Sequence, residues 1–130
     1  MKVPLSEEAA QAFAQRFVAC CNRGDIEAVL GHFAEDCTFD SPLAEKYVGT
    51  TRLAGKAALR AYWQKASAEI KDVHFDVDLV AVAPSQRAVL IVYRMRLGGH
   101  QQYVSDRLIF NEEGLVLSGM GLYGPPAYPV

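Results

Sequence analysis

The chain has 130 residues, 51% of them hydrophobic and 22% charged, with a formal net charge of −2. That length and balance fit one folded domain over 1–130 and exclude a disordered or low-complexity chain. Lys and Arg are scattered with no basic run, so no nucleic-acid partner is expected, and the three Cys, in no regular spacing, exclude a disulfide framework.

The elements follow in chain order. The first residues hold no apolar signal core, and no apolar stretch approaches the roughly 18 residues of a membrane span. No membrane partner is expected, and a cytoplasmic location follows by default. Ser6 can cap a helix with Glu7 and Glu8 in its first turn, where carboxylates suit the positive end of the dipole. Ala9, Phe13, Phe17 and Cys20 recur at helical spacing, and Asn22-Arg23-Gly24 stops the run. Asp25 caps a second, short helix carrying Ile26, Val29, Leu30 and Phe33. A strand over Cys37–Ser41 is closed by Pro42, and Pro42–Ala54 has no period and reads as a loop. Gly55 opens a third helix with Leu59, Tyr62, Trp63, Ala66 and Ile70 on one side.

The rest alternates as strands. Val73, Phe75, Val77 and Leu79 share one face, as do Val89, Ile91, Tyr93 and Met95, then Gln102, Val104, Asp106, Leu108 and Phe110. Asn111–Gly114 is a hairpin turn, and a last strand runs from about Leu115 to Tyr123 before Pro125, Pro126 and Pro129 end regular structure. Helices first and a strand meander after them give an α+β class, with the helices covering one face of a curved, mostly antiparallel sheet. The outer face keeps Leu90, Val92, Tyr103, Ile109, Met120 and Leu122, so a homodimer through that face is expected.

Several strings carry a resemblance: Cys21–Val29, Phe33–Phe39, Gly55–Trp63 and Asp106–Gly114. In this order they resemble the nuclear transport factor 2-like superfamily, in its SnoaL-like and ketosteroid-isomerase-like branch. The resemblance implies a cystatin-like cone, a strongly bent sheet around three N-terminal helices, open at one end to a pocket, with dimers common. It spans nearly the whole chain. The superfamily hosts isomerases, cyclases, epoxide hydrolases, dehydratases and non-catalytic binders, so function rests on individual residues.

Asp106 is the leading catalytic candidate. Alternation turns it inward, where a carboxylate is costly unless paired or protonated. A neutral acid there donates a hydrogen bond to a developing oxyanion. By resemblance it matches the aspartic acid that does so in ketosteroid isomerases. The other two isomerase positions are substituted. The tyrosine of the first helix matches Phe17, which has no donor. The general base before proline matches Ser41, too weak a base alone. Asp40 is the second catalytic candidate if a bulge turns it inward. Tyr62, Trp63, Tyr93, Gln102, Leu108, Gly119 and Tyr123 join Phe17 and Ser41 as candidate substrate-binding residues. Gly119 and Gly121 either widen the pocket or permit a bend. The loop over Pro42–Ala54 is expected to cover the pocket mouth.

The three His lack ligand spacing, so no metal is expected, and no phosphate loop or other cofactor motif is present. The Asp-Arg-Asp set of epoxide hydrolases would need Arg94 or Arg107, both of which alternate outward. Three functions stay open: proton transfer on an apolar carbonyl compound, sequestration of an apolar small molecule, and a dimeric interaction module.

Overall fold

In the computed structural model the described residues are 4–127. The elements are α1 (Glu7–Arg23), α2 (Ile26–Leu30), β1 (Phe33–Asp40), α3 (Ala44–Val48), β2 (Arg52–Ala54), α4 (Lys56–Glu69), β3 (Val73–Ala83), β4 (Ala88–Leu97), β5 (His100–Phe110) and β6 (Val116–Pro126). The strands form one six-stranded sheet in the order β2-β1-β6-β5-β4-β3. All pairs are antiparallel except β1 with β6. The helices cover its inner face, and the α+β class and cystatin-like architecture hold.

The helix signals act as the sequence implies. The Ser6 side chain accepts from the Ala9 N–H at 3.0 Å, and Gly24 closes α1 with φ +66°. Asp25 accepts from the Ala28 N–H at 3.1 Å. The buried stripe of α1 is Ala10, Phe13, Ala14, Phe17, Val18 and Cys20; Ala9 lies outside it. Stacked Phe13 and Phe17 rings meet His32 edge-on, which gives that half-buried imidazole a packing role.

Four expectations change. Phe33 is not in the second helix. It opens β1 opposite Val116, fully buried, because Gly31 ends α2 and the His32 carbonyl accepts from Val116. The segment 42–54 is not a structureless loop. It holds α3, stopped by Gly49 at φ +79°, and β2, which pairs Leu53 with Phe39. One helical turn and three strand residues are too short to show a period. In β3 a bulge between Val77 and Leu79 reverses the alternation, so Leu79 is 51% exposed while Val80 and Val82 turn to the core. Finally, β6 continues to Pro126, opposite Gln102. Its partner β1 stops at Asp40, opposite Met120, so the end of β6 is an edge where a residue without an N–H is tolerated. Ala127 still donates to the Gln101 carbonyl. Pro129, expected with Pro125 and Pro126 to end regular structure, lies outside the described residues.

Candidate functional site

Asp106 occupies the middle of β5, paired with Ile91 of β4 and Gly121 of β6. Its neighbours two residues either way, Val104 and Leu108, are buried on the inner face, so the ladder turns its carboxyl into the interior. There it borders a cavity of about 40 Å³ lined by Phe17, Val18 and Cys21 of α1, Phe75 of β3 and Tyr93 of β4. The residue retains some accessible surface because that cavity touches it, yet its surroundings are dry enough to raise its pKa to about 7. Burial causes the rise, and the Tyr93 hydroxyl opposes it by favouring the carboxylate. No ion pair found among the described residues involves Asp106.

Tyr93 is 4% exposed. Its hydroxyl reaches Asp106 closely enough to affect the acid's titration but not in full hydrogen-bond geometry, and it is otherwise a buried hydroxyl without a partner. Burial first, then the charge of Asp106, hold this phenol well above its ordinary range. The Cys21 thiol is pushed up to about 12, again by burial and then by Asp106, so it stays protonated while the cavity is closed over it. The cavity therefore holds an acid that titrates near neutrality beside a phenol that keeps its proton.

A second polar group gathers nearby. Ser41 is 3% exposed, at the inward position after Phe39. Its hydroxyl interacts with those of Tyr62 and Tyr123, and Tyr62 is raised to about 12, by burial against the opposing bond from Ser41. Asp106 raises both phenols by its charge. Tyr123 is 48% exposed, which puts this hydroxyl group at the rim.

The remaining candidates fall elsewhere. Asp40 stays on the outward side of β1, where Arg52 donates to both of its oxygens at 2.6 and 2.8 Å; no bulge turns it in. Gln102 sits near the open end of β5 and donates to the Gly124 carbonyl at 2.9 Å. Leu108 is fully buried core, and Trp63 meets Phe33 and Phe39 edge-on. Gly119 does not widen a pocket: a Cβ there would lie 2.4 Å from the Phe39 ring, so Phe39 already fills that space. At Gly121 a Cβ would lie 3.8 Å from Asp106 Oδ1, so this glycine leaves room beside the acid. Arg94 and Arg107 face outward as alternation requires, reaching Tyr103 and Ser118. Among the described residues no cluster of three or more His, Cys, Asp or Glu is placed to hold a metal, and no helix is long and apolar enough to cross a membrane.

Sequence reasoning missed Val18 and Cys21 as cavity walls and placed Phe75 only on a strand face with Val73, Val77 and Leu79. Cys21 lies four residues after Phe17, so helical periodicity carried the signal.

Comparison with known proteins fits this geometry. A family model described as a SnoaL-like domain matches residues 14–122. A SnoaL-like protein of unknown function from Burkholderia thailandensis superimposes with a TM-score of 0.80 at 27% identity, over 93% of this chain and 99% of its own. A cystatin-like protein of unknown function from Methylobium petroleophilum gives 0.75 at 16% identity, over 97% and 82%. The epoxide hydrolase/cyclase-like enzyme SalBIII, of pyran ring formation in the polyether salinomycin, gives 0.71 at 19% identity, over 92% and 93%.

Proposed function

The chain belongs to the SnoaL-like domain family, and from that premise we propose that it binds a small, largely apolar carbonyl compound and catalyses proton transfer on it, with Asp106 as acid or base. Isomerisation and cyclisation are the reaction classes this favours; an epoxide hydrolase/cyclase-like enzyme shares the fold. The observation that carries the reading is Asp106, unpaired in an apolar cavity beside the partnerless Tyr93 hydroxyl. Below about pH 7 the neutral acid donates a hydrogen bond to a substrate oxygen, and Tyr93 offers a second donor. Above it the carboxylate accepts a proton from carbon, and a pKa near the working pH serves both directions. Phe17, Val18 and Phe75 exclude water and so strengthen each of these interactions.

The decisive test is titration of the Asp106 carboxyl by ¹³C NMR with turnover of candidate enones and β-dicarbonyl compounds by wild type and Asp106→Asn. A midpoint near 7 and a loss of about 10²-fold or more in rate are expected. A midpoint near 4, or unchanged turnover, would sink the reading.

One observation favours a non-catalytic binder instead. Among the described residues no second carboxylate lines the cavity, and Asp40 is held by Arg52 on the outward side of β1. Ligand retention with no turnover in either protein would decide for it. We also propose that the outer face, with Leu122 at 45% exposure, pairs with a second copy. Sedimentation equilibrium showing only monomer at micromolar concentration would remove that proposal.

A further inference from the structure

The cavity at Asp106, about 40 Å³, holds a few water molecules at about 10–15 Å³ each and is well short of the roughly 150 Å³ that takes a benzene ring. Any carbonyl ligand must displace a wall. Tyr93 and Asp106 sit on β4 and β5, each laddered on both sides. The other walls belong to α1 and to β3, an edge strand with β4 as its one neighbour in the sheet. Among the described residues, α1 and β3 share two hydrogen bonds, both made by one side chain. Asn22 donates from Nδ2 to the Phe75 carbonyl at 2.9 Å and accepts at Oδ1 from the Phe75 N–H at 2.8 Å. Asn22 directly follows the wall residue Cys21, and Phe75 is itself a wall. The amide thus satisfies both outward groups of an edge residue and fastens two cavity walls at one point.

We infer that the Asn22–Phe75 double hydrogen bond is the latch of an access seam between α1 and β3, through which a small, neutral, mainly apolar molecule reaches Asp106. The inference rests on the cavity being the binding site proposed above. Releasing the latch costs two hydrogen bonds that water replaces once the seam opens, and with them part of the packing of α1 against β3. No ladder bond of the sheet breaks. The Phe17 and Phe75 side chains then part over the acid, while Tyr93 and Asp106 keep their places.

Cys21 reports on the seam. The test is alkylation of the full chain by iodoacetamide, a small neutral probe, with each Cys located by fragment mass spectrometry. Asn22→Ala is expected to speed labelling of Cys21 about 10-fold, as loss of the latch shifts the opening equilibrium, with Cys20 and Cys37 unchanged. Asn22→Asp keeps the acceptor for the Phe75 N–H but sets a carboxylate oxygen against the Phe75 carbonyl, so it too should speed labelling of Cys21; it carries the test if Asn22→Ala does not fold. An unchanged Cys21 rate, as access past the Tyr123 rim would give, overturns the latch. So does a parallel rise at all three Cys, which reports general loosening. Labelling is independent of turnover, so an ordinary Asp106 titration would remove the proton-transfer reading without touching this result.

Discussion

Asp106 and Arg107 are neighbours in β5 and face opposite sides of the sheet. Each is a charged residue type set among apolar side chains, and the two faces treat them differently. Inside, the acid has no cation, and burial raises its pKa to about 7, so it can shed its charge near neutrality. Outside, a guanidinium cannot shed its charge. Arg107 reaches the Ser118 hydroxyl at 3.4 Å and Arg94 the Tyr103 hydroxyl at 3.5 Å, and the Nε of each stays buried without a partner. The inner face adapts by protonation; the outer face holds permanent charge among Leu90, Val92, Met120 and Leu122. The comparison teaches that burial makes chemistry only where the buried group can change its protonation state.

The largest expected effect tests the inner half. A folded pKa of about 7 against an ordinary 3.8 means that the native state binds the proton more tightly. Stability from this group is whole below about pH 4 and is lost as pH rises through about 7. Asp106→Asn removes the loss. Denaturant unfolding should show the variant gaining on wild type by up to about 4 kcal/mol between pH 4 and pH 8.5. A pH-independent difference would break the contrast between the faces.

Next is Gly119→Ala, which drives a Cβ into Phe39. Thermal unfolding should show a loss of about 1–3 kcal/mol, relieved in part by Phe39→Leu. Silent behaviour would mean the inner face has slack that the cavity does not represent. Tyr93→Phe removes the hydroxyl that favours the carboxylate, so the Asp106 midpoint should rise above about 7, by roughly one unit or less, in the ¹³C titration. A fall would show that Tyr93 favours the neutral acid instead. The smallest effect on fold stability belongs to the outer face. Leu122→Lys, at a site 45% exposed, should change monomer stability by about 0.5 kcal/mol or less. Sedimentation should nonetheless show its self-association weakened. Unaltered association would mean that Leu122 lies outside the contact.

The inner residues of β4 and β5 were legible because strict alternation survives along both strands: Val89, Ile91 and Tyr93 turn in with Val104, Asp106 and Leu108. The caps Ser6, Gly24 and Asp25 were legible because each satisfies a local backbone need. Leu79 was not, since a bulge is a property of two paired strands and leaves no mark in one. Nor was the occupant of the space at Gly119, which is set by Phe39, 80 residues earlier in the chain.

By itself, then, the sequence determined the α+β class, both ends of α1, the start of α2 and the face on which Asp106 lies, because these follow from periods and caps spanning a few residues. Only the tertiary structure decided that Asp40 is spent on Arg52, that Tyr93 stands beside the acid without a partner, and that Asn22 joins α1 to the edge of the sheet. Each of those joins residues distant in sequence, and their energies depend on burial and distance, which exist only once the chain has folded.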